Sequence, residues 1–148
     1  MATVKELLVI KGGGENLSVL GSDTVLKALE VMAEANVGAV MVTEAERVVG
    51  IFTERDYTRK CELKGVCAKE TPIQDVMTTQ MLTVNPNTSM DQCMALMNQY
   101  HIRHLPVIDK DAMVGMVSIR DVVDMLLSDR ESTIIGLENY ILGSDFAT

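Results

Sequence analysis

Apolar residues recur at helical spacing in two separate stretches of the chain. Val25, Ala28, Leu29 and Met32 stand at i, i+3, i+4 and i+7, and Met90, Cys93, Met94 and Met97 repeat that spacing. Each set forms one face of an amphipathic helix. Thr24 and Ser89 precede the two faces as N-caps, and Gln92 completes a capping-box pattern with Ser89. Past each helix the pattern shifts to paired runs rich in β-formers. Residues 39–43 and 48–52 flank Glu44-Ala45-Glu46-Arg47, and residues 104–108 and 113–117 flank Asp109-Lys110-Asp111-Ala112, so each pair predicts a hairpin. Second helices are predicted over about 54–62 and 119–128, capped by Thr53 and Ser118. Short strands at 18–20 and 82–84 come before the first helices, giving the order β-α-β-β-α twice.

The two halves align without a gap at an offset of 65 residues, residues 24–60 over 89–125, with six identities in 37 pairs. Four of the six fall in one block, Val49-Gly50-Ile51-Phe52-Thr53-Glu54-Arg55-Asp56 over Val114-Gly115-Met116-Val117-Ser118-Ile119-Arg120-Asp121. Both copies read V-G-x-x-[ST]-x-R-D. A repeat of roughly 60 residues is marginal as an independent core. The predicted fold is therefore α+β, two β-α-β-β-α repeats packed through their sheets with pseudo-two-fold symmetry. The expected division is 1–70 for repeat 1 with an N-terminal segment and linker, 71–130 for repeat 2, and 131–148 as a C-terminal helical tail. In that tail Ile134, Ile135, Leu137, Tyr140 and Ile141 need cover, from docking or a dimer contact.

Composition narrows the function classes. At 47% apolar and 23% charged, the 148 residues are those of a folded domain rather than a disordered chain. The longest apolar runs, such as 7–10 and 37–42, are far too short to span a membrane. A formal charge of -8 and five aromatics without Trp argue against a nucleic-acid partner, which needs cations for phosphate and rings for bases. The N-terminus lacks the pattern of a signal peptide. Cys61, Cys67 and Cys93 cannot all pair, which suits a reducing compartment, and a cytoplasmic location is expected.

Three features together carry a resemblance to a known family: the β-α-β-β-α order, Asp75-Val76-Met77-Thr78 leading into the second repeat, and Ile102-Arg103-His104-Leu105-Pro106-Val107. With the two blocks 50–56 and 115–121, the chain resembles a tandem pair of CBS domains, a Bateman module, of the stand-alone bacterial type. The resemblance implies a regulatory module that binds adenosine-containing ligands such as AMP, ADP, ATP, NAD(H) or S-adenosylmethionine between the repeats and signals to a partner. It implies Asp56 and Asp121 on ribose hydroxyls and Thr53 and Ser118 near ribose or phosphate. Arg55, Arg120, Ile51 and Met116 belong to the same candidate set. It also implies shared sites, with Asp56 facing Ile102, Arg103 and His104, and Asp121 facing Val37, Gly38 and Ala39. Only the first would then have cationic side chains for a polyphosphate. A homodimer is expected too, through apolar faces around Tyr57 and 122–127.

Plainer readings compete. Thr53 and Ser118 serve equally as N-caps and the Asp residues as first-turn dipole partners. Arg103 and His104 can be an exposed strand entrance. His101 and His104 lie near Asp109 and Asp111, but the hairpin places the acids at the far end of the strand, so no metal site is expected. Cys93 falls on a core face, Cys61 and Cys67 are expected partly exposed, and no C-x-x-C supports redox chemistry. The eleven methionines include Met32, Met94, Met97, Met113 and Met116 at core or pocket positions. No nucleophile–base pair is apparent, so catalysis is not expected. A scaffold dimer with vestigial pockets is the alternative to nucleotide sensing.

Overall fold

The computed structural model describes residues 2–12 and 17–128. The expected C-terminal helix lies outside them. The described residues form two units, one of residues 17–83 with 109–114 and the other of residues 2–12, 84–108 and 115–128.

The first unit holds repeat 1. Strand β1 (Ser18–Leu20) pairs in parallel with β2 (Ala39–Glu44), which pairs antiparallel with β3 (Arg47–Thr53), giving the order β1-β2-β3. Helix α2 (Val25–Ala35) crosses between β1 and β2; the Thr24 hydroxyl caps its start, accepting from the Lys27 N–H. Val25, Ala28 and Met32 face inward as the periodicity predicts and join Val40, Val42, Phe52 and Ile73 in one apolar core. After β3, helix α3 (Glu54–Asp56) runs straight into a π-helical stretch, Tyr57–Glu62. The sequence predicts an ordinary helix there. Cys61 within it is completely buried in the core of this unit, against the expectation of partial exposure, while Cys67 is exposed.

The second unit holds repeat 2. Helix α4 (Met90–Tyr100) buries Met90, Cys93 and Met97, and Ser89 and Gln92 form the capping box read from the sequence. Strands β4 (His104–Asp109) and β5 (Ala112–Ser118) pair, and a helix, α5, follows over 119–128. The predicted strand at 82–84 reduces to a single parallel bridge, Val84 to Val107.

The repeat extends into backbone detail. Asn36 and His101, aligned by the offset of 65, both end their helices in the left-handed conformation. Both hairpins turn on two residues of positive φ, Ala45-Glu46 and Lys110-Asp111. That is the backbone of the two-residue turns whose twist matches paired strands, made here without glycine.

The N-terminal helix α1 (Val4–Ile10), grouped by sequence order with repeat 1, makes its backbone contacts with repeat 2. The Val4 N–H donates to the Thr88 carbonyl, Lys5 N–H to Pro86 and Met90 N–H to Ala2. In the first unit the Ile73 N–H donates to the Asp23 carbonyl, Gln74 N–H to Gly21 and Val25 N–H to Thr71. Residues 2–8 thus do for repeat 2 what 71–77 do for repeat 1. Each segment precedes the opposite repeat in the chain.

Candidate functional site

Each repeat brings its V-G-x-x-[ST]-x-R-D block to the junction of a buried strand and a helix. At β3–α3 the Thr53 hydroxyl accepts from the Asp56 N–H at 3.0 Å, while the Thr53 N–H donates to Asp56 Oδ2 at 3.0 Å. At β5–α5 the same exchange joins Ser118 and Asp121, at 3.1 and 2.9 Å. Capping boxes satisfy N-terminal N–H groups that the helix cannot. Here they also fix each carboxylate in one rotamer, with side-chain exposures of 16% for Asp56 and 19% for Asp121.

A lysine stands beside each carboxylate, and the two lysines come from different places. Lys60, one π-helical turn on, puts Nζ 3.5 Å from Asp56 Oδ1 and donates to the Thr78 hydroxyl at 2.9 Å. Thr78 in turn donates to the Asp56 carboxylate at 3.3 to 3.4 Å. Lys11, just past α1, donates to Asp121 Oδ2 at 3.0 Å and to the Met116 carbonyl at 2.9 Å. The expectation that only the site of Asp56 would have cationic side chains is corrected by Lys11 beside Asp121. Lys11 is 105 and 110 residues away from its two partners, and no spacing in the sequence announces it.

The block glycines are contact points. A Cβ at Gly50 would lie 2.6 Å from Met77 Sδ and 3.0 Å from the Thr78 carbonyl; one at Gly115 would lie 2.6 Å from Leu8 Cδ2. Glycine lets residues 77–78 and α1 lie directly on the motif strands, and so brings Thr78 and Lys11 to the carboxylates.

Gly38 and Arg103, equivalent in the repeat, accept through their carbonyls from the Glu54 and Ile119 N–H groups at the helix starts. Val37, Arg103 and Arg120 are exposed, Arg55, Ile102 and Met116 half-buried, and Ile51 buried. Met32 and Met97 are buried, whereas Met94 and Met113 are half-buried. Burial pushes the His104 imidazole below its ordinary value, with Asp121 opposing the shift and Arg103 and Lys11 adding to it. His104 therefore lies within electrostatic reach of the carboxylate of its own repeat. Among the described residues no three His, Cys, Asp or Glu side chains converge as a metal would need. No described helix is long and apolar enough to cross a membrane.

The CBS domain family matches the chain twice, at residues 14–62 and 73–128. The mitochondrial CBS domain-containing protein CBSX3 of Arabidopsis thaliana is 38% identical over 149 residues, covering 95% of this chain and 72% of that protein. The CBS domain-containing protein YhcV of Bacillus subtilis is 30% identical over 132 residues, 89% of this chain and 91% of its own. A solved protein with CBS domains from Burkholderia ambifaria superposes with a TM-score of 0.83 at 38% identity, covering 86% of this chain and 96% of that one.

Proposed function

Because the chain belongs to the CBS-domain family and carries that domain twice, we propose that it is a regulatory module that binds an adenine nucleotide at its strand–helix junctions and passes occupancy to a partner protein. Pairs of this family are in general regulatory and ligand-binding rather than catalytic. The observation that supports the reading most is the fixed carboxylate at each junction with a cation beside it. A rigid carboxylate accepts from the vicinal hydroxyls of a ribose, which every adenine nucleotide supplies. On this reading the ligand is bound and released unchanged. Three unpaired cysteines, one buried in each repeat and one exposed, fit a reducing compartment such as the cytoplasm.

Titration calorimetry with AMP, ADP, ATP, NAD(H), S-adenosylmethionine and adenosine tests the reading. Binding by at least one, weakened about one to two decades by Asp56→Ala or Asp121→Ala, is the expected result. Failure of every ligand to bind folded protein would leave the scaffold reading in its place. We further propose self-association into a homodimer. A solved CBS protein of 26% identity is described as hexameric, and Val123 and Leu127 stand exposed on α5. A monomer by light scattering at micromolar concentration would exclude it.

A further inference from the structure

The two motif carboxylates differ in what remains open on them. Asp56 has both oxygens engaged, Oδ2 by the Thr53 N–H and Oδ1 by Lys60, with the Thr78 hydroxyl reaching each. Asp121 concentrates its partners on one atom. Oδ2 accepts from the Ser118 N–H and from Lys11, and Oδ1 receives no protein donor among the described residues. The Lys11 ammonium has three donors, of which two go to Asp121 Oδ2 and the Met116 carbonyl. One N–H therefore remains beside an open carboxylate oxygen. That pairing matches a molecule carrying hydroxyls at one point and an anionic oxygen nearby. It fits a phosphorylated nucleoside better than the nucleoside alone. The side chain of Lys11 is 38% exposed, so its last donor is within reach of a ligand, and Leu8 packed over Gly115 holds the helix that carries it.

From this geometry we propose that Lys11 is the specificity-determining residue of the Asp121 site, the group that makes the site prefer a phosphorylated nucleoside to the same nucleoside without phosphate. The proposal rests on the nucleotide reading above and adds to it a selecting residue from the N-terminal segment. Lys60 does not play the same part at Asp56, because its donors go to Thr78 and to the carboxylate oxygen a ligand would need.

Titration calorimetry of wild type, Lys11→Met, Lys11→Arg and Lys60→Met with AMP and with adenosine tests this. Wild type is expected to bind AMP more tightly than adenosine. Lys11→Met should weaken AMP about ten- to hundredfold, the range for a charge-assisted hydrogen bond, and move adenosine less than about twofold. Lys11→Arg should restore most of the preference, and Lys60→Met should leave it intact. A purely structural latch would weaken both ligands together, and that outcome overturns the proposal, as does an unchanged AMP affinity in Lys11→Met. In either case AMP binding by wild type would leave the nucleotide reading standing. If wild type binds neither ligand, both fall.

Discussion

Replacing Gly50 by alanine should damage repeat 1 more than the matching change at Gly115 damages repeat 2. Neither glycine has a positive φ, so alanine is free to adopt the backbone, and its smaller unfolded-state entropy favours folding by about 0.4–1 kcal/mol in both cases. The surroundings decide the difference. At Gly50 the new methyl meets Met77 Cγ and Sδ and the Thr78 carbonyl. Thr78 cannot retreat, because its N–H and C=O are both bonded to Ile51, at 2.8 and 2.9 Å. Overpacking costs about 1–3 kcal/mol, and loosening one of those hydrogen bonds adds about 1 kcal/mol, so the net loss is about 1–3 kcal/mol. At Gly115 the neighbour is the tip of the Leu8 side chain, which can rotate. There the entropy gain offsets most of the clash, and the net change should stay below about 1 kcal/mol. Urea unfolding followed by circular dichroism reads both, and each kcal/mol should lower Tm by roughly 2–4 °C. Gly50→Ala should also displace Thr78 from Asp56, disturbing ligand binding in repeat 1 alone. Equal costs at the two glycines, or a larger one at Gly115, would refute the claim that backbone rather than side chain limits Gly50.

Thiol chemistry should separate the three cysteines. Cys67 is exposed and should react rapidly with Ellman's reagent in the native protein, while Cys61 and Cys93 wait for unfolding; burial pushes the Cys93 thiol up to about 11. The pH dependence of stability should carry a His104 component. Its folded pKa is depressed below 6.5, so the unfolded chain binds the proton more readily and stability falls as pH drops through 6.5 toward the folded value. His104→Gln should flatten that slope in urea titrations between pH 5 and 7, and an unchanged slope would place its origin elsewhere. In the hairpin turns, Ala45→Asn with Glu46→Gly should raise stability by about 1 kcal/mol, because both positions hold positive φ that the native side chains resist. A loss on thermal melting would show that the native pair makes compensating contacts.

What periodicity governs was legible in the sequence. Val25, Ala28 and Met32, and Met90, Cys93 and Met97, all turned inward, because a 3.6-residue spacing leaves a helix one way to bury its apolar face. The capping boxes were half legible: hydroxyl and carboxylate were visible three residues apart, but a cap and a ligand site use the same residues, and spacing does not separate them. The π-helix at Tyr57–Glu62 has no signature in a stretch with one buried residue. Least legible was Lys11. Its proximity to Asp121 depends on Val4 and Lys5 bonding to Thr88 and Pro86. The equivalence of residues 2–8 with 71–77 falls at a different offset from the rest of the repeat, so aligning the chain with itself does not reveal it.

That exchange of segments also sets an order of events on the ribosome. Repeat 1 has everything it needs within residues 17–83 apart from the short stretch 109–114, and its covering segment is made directly after its own strands and helices. The first helix synthesised has the opposite fate. Its resting place against Thr88, Gly115 and Asp121 does not exist until the ribosome has passed the second motif, so Leu7 and Leu8 must remain uncovered through most of translation. Contacts of such long sequence separation form late, because loop closure must come before any gain from packing. The nascent chain therefore passes through a period in which a finished first repeat is joined to a bare apolar helix. In that interval a chaperone, or a neighbouring chain on the same message, has its best opportunity to engage.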